Sequence, residues 1–117
     1  MLPRQFRLKK KSAFNATYRT GKVFHKCGIT VFCGKKKSED YPTRIGFVVS
    51  KKIHKRAVKR NRIKRLMRES IRLQIKNNNF ESDYISLIFT ATSKLLGKNF
   101  NDVDYGMKKL MEIIKNA

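Results

Sequence analysis

The chain has 117 residues, with 29 Lys and Arg against 8 Asp and Glu, a formal charge of +21 and 40 % hydrophobic content. That length suits one domain, residues 1–117, with a modest core, and so lopsided a charge calls for a polyanionic partner whose counterions are released on binding. No apolar run approaches the roughly 18 residues of a spanning helix, and no amphipathic segment carries the exposed Trp or Leu of a surface anchor, so a membrane is set aside as that polyanion.

Met1 to Lys11 is basic and lacks a period, which reads as a flexible arm. Its cations are followed by no apolar stretch of the secretory kind, so the expected location is cytoplasmic. Ser12 is placed to cap a short helix over Ala13 to Thr20, and Gly21 stands where a left-handed stop belongs. Phe14 and Tyr18, four apart, share a face of that helix, and the pattern alone suits either core packing or an exposed pair of rings. From Lys22 to Gly34 the residues alternate as in a half-buried strand. Val23, Cys27, Ile29, Val31 and Cys33 make one face, interrupted by His25; Phe24, Lys26, Gly28, Thr30 and Phe32 make the other. Rings interleaved with cations hold single-stranded nucleic acid by stacking worth ~1–3 kcal/mol per base, while the plainer alternative packs Phe24 and Phe32 under a helix. Cys27 and Cys33 match no metal-ligand spacing and are expected to be buried thiols.

Lys35 to Thr43 reads as a surface loop. Arg44 to Ser50 is a strand with Ile45, Phe47 and Val49 on one side and Gly46, Val48 and Ser50 on the other, where small residues leave room for a ligand. A basic loop, Lys51 to Ala57, leads to a helix from about Val58 to Lys76, before Asn77 to Asn79. At ~100° per residue, Ile63, Leu66, Met67, Ser70, Ile71 and Gln74 form a stripe for the core. Asn61, Arg65, Arg68 and Arg72 line the opposite side, flanked by Arg62 and Lys64. A solvated helix face normally mixes signs for i,i+4 pairing, whereas Glu69 is the single acid between Ser50 and Arg72. Guanidinium groups in a row grip phosphate oxygens bidentately, so RNA or DNA is the expected partner. Asp83 to Thr92 suits a strand covered on both faces, and Asn101 or Asp102 is expected to cap a last helix whose Val103, Met107, Leu110, Met111 and Ile114 keep a helical period. The order is helix, strand, strand, helix, strand, helix, with the first strand run long enough to bend into two.

The stretch VSKKIHKRAVKRNRIKRLMRE, and RNRIKR at Arg60 to Arg65 within it, resembles the arginine-rich signature of the bacterial ribonuclease P protein subunit. RLKKKSAFNATYRTG from Arg7 to Gly21 is similar to that family's opening, and the likeness continues through RIGFVVSKK and DYISLIF. Two departures stand out: Ile53 to Arg62 lacks the family's Gly and is one residue longer, and Val48 stands where a small hydroxyl residue is common.

The resemblance implies an α+β fold, an α/β sandwich like domain 2 of ribosomal protein S5, with a four-stranded sheet, three helices and a left-handed βαβ crossover against the general preference. It implies a holoenzyme whose catalytic RNA, with Mg²⁺ held by that RNA in the two-metal manner, cleaves the 5′ leader from precursor tRNA; no DNA partner is expected. The implied RNA-facing surface is Arg60, Asn61, Arg62, Lys64, Arg65 and Arg68, extended by the charge pattern to Lys51, Lys52, Lys59 and Arg72. The implied leader cleft takes Phe14, Tyr18, Phe32, Arg44, Gly46 and Ser50. No protein residue is assigned to catalysis or to metal, since the carboxylates are scattered. A small ribosomal-type or RNA-chaperone protein with a purely assembly role is the alternative, and a stand-alone nuclease a distant third.

Overall fold

The alternating run after Gly21 folds as a hairpin whose turn is only two residues long. In the computed structural model, which describes residues 2–116, β1 (Lys22–Lys26) and β2 (Ile29–Cys33) are joined by Cys27 and Gly28 at φ 53° and 79°, the left-handed pair that a tight hairpin turn requires. This turn pairs Lys26 with Ile29 and Phe24 with Val31. Cross-strand partners share a face, so an even position on β1 faces the same way as an odd position on β2, and the expected single parity from Val23 to Cys33 breaks at the turn. Phe24 therefore packs on the core with Ile29, Val31 and Cys33, while Val23 lies beside Phe32. Cys27 is exposed and Cys33 buried, so the expectation of two buried thiols holds for one; burial pushes the Cys33 thiol up to about 11.

Two further strands complete one sheet in the order β1-β2-β4-β3. β4 (Ser86–Ala91) is antiparallel to β2, and β3 (Arg44–Val48) is parallel to β4. The long return between β3 and β4 contains α2 (Ala57–Lys76), as a parallel neighbour requires. α2 and α3 (Phe100–Asn116) cover one face of the sheet, burying Ile63, Met67 and Ile71 with Val103, Met107, Leu110 and Ile114 against Val31, Ile45, Leu87 and Phe89. Between these helices Ser70 Oγ donates to Asp104 Oδ1 at 2.7 Å and accepts from Gln74 Nε2 at 3.3 Å, which satisfies the polar members of the α2 stripe. The short α1 (Lys11–Arg19) lies on the other face.

Several expected boundaries move for identifiable reasons. α1 begins at Lys11 with Lys10 as its cap residue, and no side chain caps it, so Ser12 is inside the helix. Asn99, rather than Asn101 or Asp102, caps α3, its Oδ1 accepting from Asp102 N at 3.0 Å. Gly21 at φ 75° stops α1 as expected, and Asn78 at φ 58° ends α2. The described part of the basic N-terminus is docked and not a free arm. Leu2 and Leu8 are 2 % and 8 % exposed, Arg4–Phe6 forms a 3-10 turn, and Leu8 N donates to Ile45 O at 2.9 Å. Two leucines hidden among the cations supply the apolar burial that holds the segment along the outer edge of β3, where it also covers an otherwise unpaired strand edge.

Candidate nucleic-acid interface

α1 crosses the sheet, and three of its side chains mark its path. Phe14 sits over Gly46 on β3, Thr17 Oγ1 is 2.6 Å from Ser86 Oγ on β4, and Tyr18 meets Phe32 on β2 edge to face, with ring centroids 4.9 Å apart. Thr20 Oγ1 donates to the Cys33 carbonyl and ties down the helix end. A methyl group on Gly46 would stand 2.6 Å from the Phe14 ring, closer than carbon atoms approach, so the glycine makes the seat for Phe14. The space expected above Gly46 for a ligand is filled by that ring.

The open ground lies one row further along the same sheet face. His25, Thr30, Thr90 and Val48 are cross-strand partners in register, two positions on from the row of Val23, Phe32, Ile88 and Gly46 that α1 covers. Thr30 is buried, Thr90 and Val48 half-buried and His25 exposed, and Thr30 Oγ1 is 2.8 Å from His25 Nδ1. With Tyr18, 39 % exposed, as one wall, this row forms a groove of rings and hydroxyls. Burial raises the Tyr18 phenol above its ordinary value, so it stays neutral and able to donate. The sequence points to Val48 and Thr30 but not to His25 or Thr90; placing the two-residue turn at Cys27-Gly28 would have put His25 beside Thr30, and Thr90 follows only from the pairing of β2 with β4. Ser50 is exposed beyond the strand, its Oγ accepting from Lys52 N at 3.1 Å. Arg44 is not in this groove. It shares the row of Ser86 and lines a pocket with Ala13, Ala16, Lys35 and Tyr41 on the other flank of α1.

α2 carries the arginine row as its stripe requires, but the cations divide into two groups. Arg60 donates to the His54 and Lys55 carbonyls at 2.9 and 2.7 Å and so folds the longer loop before the helix onto its first turn. Arg62 donates to the Lys98 carbonyl at 2.9 Å. Arg72 is held by Glu69 through two bonds of 3.0 and 2.5 Å, which lowers the Glu69 carboxyl below the ordinary carboxylate range. Among the described residues Lys59, Lys64 and Arg65 enter no ion pair, and Lys59, Asn61, Arg65, Lys51 and Lys52 are exposed. The first turn of α2 has no acid and no side-chain cap, so its free N–H groups and positive dipole end add to the field of Lys59.

Arg68 reaches from the row towards the edge of β3 and the start of α1. Its guanidinium lies 5.9 Å from the Phe47 ring centroid, and with Arg7, Lys9, Phe14 and Gly46 it lines a pocket of about 330 Å³ at the β3 edge. Arg7, Lys9 and Arg68 thus bring three cations to one pocket beside Phe14. Among the described residues no helix is long and apolar enough to cross a membrane.

A family model described as "Ribonuclease P" matches residues 2–115. The ribonuclease P protein component of Clostridioides difficile is 37 % identical over 90 % of this chain and 88 % of its own length. That of Fusobacterium nucleatum is 38 % identical over 94 % and 95 %. Among solved structures, the Staphylococcus aureus RNase P protein superposes with a TM-score of 0.76 at 25 % identity, covering 94 % of this chain and 95 % of that one. The RNase P protein of Thermotoga maritima has the same fold, with a TM-score of 0.75. Three helices on a four-stranded mixed sheet, the arginine row and a match along nearly the whole length lead to one conclusion: the chain belongs to the ribonuclease P protein family, as a subunit of that enzyme.

Proposed function

We propose that this chain is the protein cofactor of a ribozyme: α2 grips the catalytic RNA while the groove beside α1 holds the single-stranded 5′ leader of precursor tRNA. The carrying observation is the pair of surfaces themselves, an exposed cationic row with Arg65 free of acid partners among the described residues and a groove of rings and hydroxyls beside α1. Hydrolysis would belong to Mg²⁺ ions held by the RNA, which would activate a water as nucleophile and stabilise the leaving oxygen. The protein lowers repulsion between two RNA molecules and keeps the leader extended, so that substrate and metal bind at lower Mg²⁺. Adding the purified chain to a ribonuclease P RNA and precursor tRNA at low Mg²⁺ tests this. Leader cleavage should be strongly stimulated and dependent on the RNA. Binding to the RNA without stimulation would reduce the chain to an assembly protein, and cleavage by protein freed of RNA would overturn the division of labour.

A further inference from the structure

At the end of the sheet just beyond the His25–Thr30 pair, the hairpin turn is clamped between two other segments. A methyl group on Gly28 would stand 2.9 Å from Lys94 Cβ and 3.3 Å from Thr92 Oγ1, and the Gly28 carbonyl accepts from Thr92 N at 2.9 Å and from Thr92 Oγ1 at 3.0 Å. On its other side Gly106 of α3 brings the helix against Cys27, whose Cβ would be 3.1 Å from a methyl group there. Beside these close approaches is a pocket of about 510 Å³ lined by Cys27, Gly28, Lys94, Leu95, Lys98, Asp102 and Tyr105, in which two cations outnumber the one carboxylate. The volume is within the range of small-ligand pockets. Tyr105 is 57 % exposed, with Lys109 Nζ 5.5 Å from its ring centroid. Asp104, the other acid in this part of α3, is engaged by Ser70 and Lys108.

The pocket is tied to the arginine row. The same Arg62 that flanks the row donates to the Lys98 carbonyl at 2.9 Å, so a partner lying along α2 meets Lys98 next. We infer that this pocket is a second contact for the catalytic RNA, taking one nucleotide with its base against Tyr105 and its phosphate between Lys94 and Lys98. The inference rests on the proposed function, because the occupant is the same RNA that α2 grips. An aromatic ring beside cations suits a base and its phosphate.

The test uses full-length protein and ribonuclease P RNA, with affinity measured as a function of salt. Lys94→Ala with Lys98→Ala should weaken binding about tenfold at moderate salt and reduce the salt slope by about 0.7–0.9, from the one phosphate the two lysines share. The Arg62 bond survives, since it uses the Lys98 main chain. Tyr105→Ala should cost about fivefold or more from lost stacking. As a control for bulk charge, Lys108→Ala with Lys115→Ala removes the same two charges from positions already paired with Asp104 and Glu81; an equal loss there would overturn the pocket. Unchanged affinity and slope for the Lys94/Lys98 and Tyr105 variants would also overturn it. If Arg65→Ala with Arg68→Ala weakens binding while those variants do not, the pocket fails and the α2 surface stands. If none of them does, the parent reading fails. Cys27 offers a direct readout: it is exposed while Cys33 is buried, so an iron chelate attached there should cut the catalytic RNA in the assembled holoenzyme, and absence of cutting would contradict the contact.

Discussion

Gly46 shows how one missing side chain positions a functional one. Because its absent Cβ is what admits Phe14, Gly46→Ala should destabilise the fold by about 1–3 kcal/mol through overpacking. The same substitution in a Phe14→Ala background should cost measurably less in a double-mutant cycle by denaturant unfolding. Equal costs in both backgrounds would mean that the ring is not the obstacle. Glu69 acts on the other surface by occupying Arg72. Glu69→Gln should free that guanidinium, raising affinity for the catalytic RNA by a few-fold and steepening the salt slope by about 0.7–0.9. The carboxyl is held below its ordinary range in the folded chain, so its contribution to stability is present above the unfolded value and is lost as pH falls through the lower, folded one. Partial exposure keeps that contribution small.

At the scale of elements, α2 and the hairpin make opposite demands on a reader of the sequence. The α2 period is long and uninterrupted, and its stripe and cationic side are found where a helical wheel places them. The hairpin alternation looks equally regular, but a two-residue turn exchanges the faces. It puts Phe24 in the core and leaves the Thr30 row as a groove floor. A parity argument carried through a turn fails because partners across a hairpin, and not residues two apart in sequence, share a face. The two elements should separate in assay. Arg65→Ala with Arg68→Ala should weaken binding to the catalytic RNA and flatten its salt dependence by about 1.4–1.8, measured by titration at several salt concentrations. Phe32→Ala, which removes the partner of Tyr18 at 4.9 Å, should reduce the preference for leader-bearing over mature tRNA, and an equal loss for both would remove the leader from the groove.

For the whole molecule, the charge of +21 is a destabilising field that an anionic partner relieves. Thermal melting should therefore move upward on adding phosphate or a short RNA, and more than with chloride at equal ionic strength, because a ligand of the native state stabilises by mass action. A melting temperature insensitive to anions would mean that the cations are spaced too widely to share one. Composition and the α2 period were enough to determine that this protein carries a cationic helix face calling for a polyanion, and the RNRIKR stretch to determine its family, because each is a local property of consecutive residues. Only the tertiary structure decided that Gly46 is filled by Phe14 and that Arg44 lies across α1 from the groove. It alone decided that Leu2 and Leu8 dock the N-terminal segment, and that Arg60, Arg62 and Arg72 each commit part of their guanidinium to a partner within the protein. Those outcomes depend on which distant segments come within a few ångströms of each other, and short-range packing of that kind leaves no period in the chain to read.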